Sequence, residues 1–154
     1  MQELYPEILD RLPYAGSFRF VDRLCAISED GVTGEYTLKE DSFFYAGHFP
    51  GFPVTPGVII TEIMAQIGLV VLGIHLILKG HHATMDKETF PLLTSTDVSF
   101  FKMVLPGEKV TVVSHKQYFR FGKLKCQVEM HNENNELVAK GIFSGIISNT
   151  GTKK

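Results

Sequence analysis

The chain predicts an α+β domain in which one long central helix is wrapped by a curved antiparallel sheet. Three observations carry that prediction. Residues 56–78 are almost wholly apolar and open on Thr55-Pro56-Gly57. Residues 90–149 read instead as strands, separated by Pro106-Gly107, Phe121-Gly122 and the polar run 132–136. A helix that is apolar on every face must be buried on most sides, and a sheet curled around it does this. With 154 residues, 44% of them apolar and 21% charged, the chain reads as one domain over 1–149 and a disordered tail over 150–154.

The elements follow in order. Residues 3–12 suggest a short amphipathic helix closed by Pro13. Residues 18–28 alternate weakly and read as a strand, and 31–38 as another after the Glu29-Asp30-Gly31 turn. Residues 41–49 are irregular and lead into a Gly/Pro loop. The long helix is expected from Pro56 to Leu78, with Thr55 as N-cap, Pro56 at the first helical position and Gly80 at the C-terminal cap. A polar connection spans 79–87. Strands are then expected at 90–94, 96–103, 108–120, 123–132 and 137–149, as an antiparallel meander.

Composition excludes several classes. A net charge of −2 and a pI near 6.3 leave no electrostatic footprint for nucleic acid. Cys25 and Cys126 are widely separated with no CxxC, which reads as reduced thiols in a cytoplasmic protein. Residues 1–10 are acidic and show no signal peptide. Residues 58–78 are long enough to raise a membrane-span alternative, but Glu62, Gln66 and His75 interrupt them, and a buried core helix is the reading adopted. His75, His81, His82 and Asp86 lack Cys partners and a fixed secondary-structure frame, so no metal site is assigned.

The chemistry concentrates in one stretch, Gly47-His48-Phe49-Pro50-Gly51-Phe52-Pro53-Val54-Thr55-Pro56-Gly57, continuing to Glu62. Pro50, Pro53 and Pro56 stiffen the loop, because each fixes its own φ and extends the residue before it. His48, a potential base near neutral pH, sits on that loop. Glu62 sits in the first turns of an apolar helix, where a carboxyl is costly unless paired or protonated. The amide of Gly57 points out of the helix N-terminus, a ready stabiliser of developing negative charge. Glu62 lies about 7.5 Å further along the axis. Gln66, one turn on, shares the face of Glu62 and can orient its carboxyl.

Gly47-His48-Phe49-Pro50-Gly51-x-Pro53 followed by Pro56-Gly57-Val58-x-x-x-Glu62-x-Met64-Ala65-Gln66 resembles the signature of the 3-hydroxyacyl-[acyl-carrier-protein] dehydratases. Ile8-Leu9-x-x-Leu12-Pro13, Phe20-Val21-Asp22-Arg23 and Val104-Leu105-Pro106-Gly107-Glu108 extend the likeness over residues 5–147. The resemblance implies a hotdog fold and a homodimer or higher oligomer with the active site shared between subunits. It also implies dehydration of (3R)-3-hydroxyacyl thioesters on acyl carrier protein to trans-2-enoyl thioesters, in fatty-acid or related polyketide or polyene synthesis. His48 and Glu62 are then the catalytic pair, the Gly57 amide binds the thioester carbonyl, Gln66 supports, and Phe49 and Phe52 line an acyl tunnel. No cofactor is implied, because no redox step occurs.

The isomerising branch of that family has Cys and Asp where this chain has Val58 and Glu62, which points to dehydration alone. Departures elsewhere are Tyr14-Ala15 in place of His-Arg, Phe52 in place of Arg, the weakly basic Phe101-Lys102-Met103, and Thr61 in place of an aliphatic residue. The first three lower the positive charge expected around the mouth that meets an acidic carrier protein. Two other functions fit the same fold, a hotdog thioesterase and a silent acyl-binding partner subunit. The His-Phe-Pro-Gly loop argues against the first, and the intact His48 and Glu62 against the second.

Overall fold

The apolar stretch forms a helix over Gly57–Leu78 that lies against one face of a six-stranded antiparallel sheet. The computed structural model describes residues 5–80 and 89–149. The helix is long and apolar enough to cross a membrane, but most of it is buried inside the fold, where it forms the core. Ile63, Met64, Ile67, Leu72 and Ile74 are fully or almost fully buried. They pack into one cluster with Val110 and Val112 from one strand, Leu124, Cys126, Val128 and Met130 from the next, and Phe143.

The strands are β1 (Arg23–Ser28), β2 (Gly31–Thr37), β3 (Thr89–Phe100), β4 (Lys109–Arg120), β5 (Lys123–His131) and β6 (Leu137–Asn149). Their order across the sheet is β1-β2-β4-β5-β6-β3. Burial alternates along β2 and β5 and the first half of β4, as expected for strands with one face on the core. The β4–β5 hairpin turns on Phe121 (φ 53) and Gly122 (φ 74), the two left-handed residues that match the twist of the flanking strands.

Several expectations need correction. The 18–28 strand begins only at Arg23, and Gly16–Phe18 is a 3₁₀ turn. The reason is tertiary: the Phe20 amide and the Phe18 carbonyl are taken by the side chain of Gln66, not by a neighbouring strand. The segments expected at 90–94 and 96–103 are one strand, β3, with an irregularity between Leu93 and Ser95. That strand does not open the meander either. Only β4, β5 and β6 follow in sequence, and β3 pairs with β6 at the far edge. The helix starts at Gly57 with Pro56 as its cap residue, while Thr55 bonds its hydroxyl to Tyr45 at 2.6 Å. Gly80, at φ 81, ends the helix as expected. The disordered tail expected at 150–154 and most of the 79–87 connection lie outside the described residues.

The helix is not uniform. Gln66–Val70 form a π turn between two α-helical segments. This turn touches β2, β4, β5 and β6. Glycines allow the approach: a Cβ added to Gly34 on β2 would lie 2.8 Å from Cγ2 of Ile67, and one added to Gly68 would lie 2.7 Å from Cγ1 of Val128. Gly68→Ala should therefore destabilise the protein by about 1–3 kcal/mol, since overpacking a closed core forces its neighbours to move. Urea denaturation checks this, and an unchanged midpoint would show that Val128 yields freely.

Candidate active site

The loop before the helix is held by its own backbone. Phe49 and Phe52 exchange two hydrogen bonds (3.1 and 2.9 Å) around Gly51, which has φ 80. The Val54 amide donates to the His48 carbonyl at 2.8 Å, and the Thr55 amide to Val104 at 2.9 Å. His48 then returns a bond: its Nδ1 lies 2.8 Å from the Val54 carbonyl. A carbonyl only accepts, so Nδ1 carries the proton and the neutral ring keeps a free lone pair on Nε2. The His48 ring stacks on Phe49 with centroids 4.2 Å apart. The loop thus presents one half-buried imidazole in a fixed orientation and tautomer.

Gly57 is the first helical residue. The carbonyl of Pro56 takes the amides of Ile59 and Ile60, and helix geometry leaves the Gly57 amide with no intrahelical acceptor. It fronts a shallow groove with Phe100, Phe101 and Met103, and a Cβ here would meet the Phe100 ring at 3.4 Å.

Glu62 is the polar focus of the helix. Burial raises its pKa, and the hydrogen bond from Gln66 partly opposes that rise. Gln66 is fully buried, and its side-chain amide is engaged at both ends. Its Oε1 accepts from the Phe20 amide at 2.8 Å. Its Nε2 donates to the Phe18 carbonyl at 3.0 Å and to Glu62 Oε2 at 2.8 Å. The glutamine fixes both the carboxyl and the segment that crosses over it.

Beside Glu62 opens a cavity of about 200 Å³. It follows the helix face of Glu62 through Ala65, Leu69, Val70, Gly73 and Ile74, against walls from β3, β5 and β6. Among the described residues, Tyr14 and Glu62 supply its only polar side chains. Burial, then the neighbouring Glu62 charge, push the Tyr14 phenol well above its usual pKa. The cavity is therefore polar at one end and apolar along its length.

The structure does not bring all the candidate residues together within one chain. Glu62 lines the cavity, Gln66 bonds to it from behind, and Gly57 opens on the separate groove. His48 lines neither. Phe49 and Phe52, expected to line the acyl tunnel, are 53% and 55% exposed and form no part of the cavity. Their loop is closed on itself around Gly51. His75 is buried in the central helix; His81, His82 and Asp86 lie outside the described residues. Tyr14 and the far walls of the cavity escaped the sequence reading. The helix walls had a signal, since Ala65, Leu69, Val70 and Gly73 follow Glu62 at helical spacing.

The central helix held against the sheet is the hotdog fold, and its candidate site is the cavity lined by the Glu62 carboxyl and apolar side chains. The FabA-like domain family matches residues 12–139, and the chain belongs to that family. The 3-hydroxyacyl-[acyl-carrier-protein] dehydratase FabZ of Lawsonia intracellularis is 32% identical over 148 residues, covering 93% of this chain and 91% of that protein. The protein of the same name from Clostridium perfringens is 33% identical over 132 residues, covering 80% and 86%. Among solved structures, a chain of the dehydratase heterocomplex ApeI:P from Xenorhabdus doucetiae superposes with a TM-score of 0.76 at 14% identity, over 94% of this chain and 92% of that one. At that identity the likeness is one of fold.

The carboxyl also has a consequence for stability. Its folded pKa is raised, so protonated Glu62 suits the fold at acid pH, and that contribution is lost as pH rises through the folded pKa. Glu62→Gln stays neutral at every pH and can still accept from Gln66. It should be more stable than the parent at neutral pH, by less than about 1 kcal/mol because the half-exposed group is screened. The two should converge below about pH 4, under the unfolded carboxyl pKa. Melting temperatures across that range check this; a variant less stable at pH 7 would mean that the Gln66 bond outweighs burial.

Proposed function

We propose that this chain dehydrates (3R)-3-hydroxyacyl thioesters carried on acyl carrier protein to trans-2-enoyl thioesters, in fatty-acid or related polyketide or polyene synthesis. The observation that carries the reading is the half-buried Glu62, clamped by Gln66, at the polar head of an otherwise apolar cavity. Relatives sharing about a third of their residues with this chain bear the dehydratase name.

The steps follow from the groups present. Nε2 of His48 takes the α-proton, and the electron pair left behind moves toward the thioester carbonyl. That oxygen gains charge and is met by the Gly57 amide; a donor of this kind is worth on the order of a hundredfold in rate. The C3–O bond then breaks as protonated Glu62 gives its proton to the departing hydroxyl, and water leaves. Burial favours the protonated form that this step needs. Proton exchange with solvent resets both residues. The acyl tail lies in the cavity beside Glu62.

His48 and Glu62 meet in this reading across two copies of the chain. What supports it is that, among the described residues, β3 is an edge strand with an unpaired side, and it carries exposed Phe90, Leu92, Leu93 and Phe100. Phe49, Phe52, Val58, Phe101 and Met103 add further exposed apolar surface around the loop and helix start. Such surface is normally covered, and a homodimer that covers it would carry one chain's His48 toward the other's cavity. The same reading puts this enzyme in the cytoplasm, which its two free thiols would suit.

The test is hydration of trans-2-enoyl thioesters, on carrier protein and on coenzyme A, followed by loss of enoyl absorbance. His48→Ala and Glu62→Gln should each lower kcat/KM by about a hundred- to ten-thousand-fold with the fold intact. Free thiol released without hydration would point to a thioesterase, and full activity in either variant would remove that residue from the mechanism.

A further inference from the structure

Gly73 stands mid-helix, where glycine weakens a helix relative to alanine. At other glycines the structure gives a packing reason. Added Cβ atoms would lie 2.8 Å from Ile67 at Gly34, 2.7 Å from Val128 at Gly68, and 2.8 Å from Leu69 at Gly145. Among the described residues Gly73 has no such reason, because its Cβ would meet only Cδ2 of Leu124, at an ordinary 3.7 Å. Nor does it need a left-handed backbone, being absent from the positive-φ glycines. What the missing side chain leaves open is the cavity, which Gly73 and Leu124 both line.

We propose that Gly73 sets the length of acyl chain this cavity admits, and that medium- to long-chain linear 3-hydroxyacyl thioesters are the preferred substrates. The inference rests on the dehydratase reading and adds the substrate class to it. A chain whose C3 hydroxyl sits at Glu62 runs along the helix face through Leu69 and Val70 to Gly73. Gly73 lies eleven positions along the helix from Glu62, a rise of roughly 16 Å, which an extended chain spans with about a dozen carbons. Every side chain met beyond Tyr14 and Glu62 is apolar. Each added methylene should therefore tighten binding about fourfold until the end is reached. A larger side chain at position 73 would stand in that path and move the end closer to Glu62.

The experiment compares the full-length parent, Gly73→Ala and Gly73→Leu on thioesters from 3-hydroxybutyryl to 3-hydroxypalmitoyl. Displacement of a fluorescent fatty-acid probe by saturated fatty acids of the same lengths runs in parallel, with melting temperatures for all three proteins. The expected result is a parent whose kcat/KM rises with chain length. In Gly73→Leu the ratio of palmitoyl to butyryl kcat/KM should fall at least about thirtyfold, with Gly73→Ala between the two. The binding series should level off several carbons earlier in the same order. An unchanged length profile, or a uniform loss at every length, overturns the proposal. If no form turns over any chain, the dehydratase reading fails by itself, and the binding series still decides the role of Gly73. If Gly73→Leu does not fold, the profile of Gly73→Ala decides in the same way.

Discussion

The side chain of Gln66 is the interaction on which the rest of the site depends. It is fully buried and makes three hydrogen bonds, to the Phe18 carbonyl, the Phe20 amide and the Glu62 carboxyl. Buried amides are costly when half-satisfied, so such a residue specifies the conformation around it. One side of the clamp pulls the segment before β1 out of the sheet and across the helix. The other holds the Glu62 carboxyl, which lines the cavity. Gln66 also opens the π turn, and such turns often coincide with functional positions in helices.

The sheet supplies what the helix lacks. A helix this apolar has no stable solvent-facing side, and strands β2, β4, β5 and β6 all reach the π turn. Gly34 and Gly68 let helix and sheet approach closely there. Along the helix face of Glu62, from Ala65 to Gly73, a cavity remains. Close packing under the π turn and open space beside Glu62 are two parts of one arrangement: the first surrounds the glutamine that holds the carboxyl, and the second is the apolar cavity.

The residues read from sequence as functional, His48, Gly57, Glu62 and Gln66, lie within one continuous stretch. Loop stiffness, helix start and helical spacing are local properties, so the letters report them directly. The helix bounds came out within one residue at the start for the same reason. Properties that depend on distant partners were not legible. Periodicity identified β3 as strand but could not say that it pairs with β6 at the sheet edge rather than with β4. The break before Arg23 was hidden because its cause, Gln66, is 46 residues from Phe20. Tyr14 reaches the cavity through tertiary packing alone, and Phe49 and Phe52 lie exposed, outside its lining residues.

A single chain holds Glu62 and its cavity on one side and His48 on a loop that does not line it. The central claim is that two chains complete one another. Mixing His48→Ala and Glu62→Gln proteins under conditions that exchange subunits tests it most directly. If each site takes its base from one chain and its acid from the other, half of the dimers are mixed and each has one intact site. Two proteins that are inactive alone should then recover about a quarter of wild-type activity. No recovery in verified mixed dimers would contradict the account and place both residues of a site in the same chain.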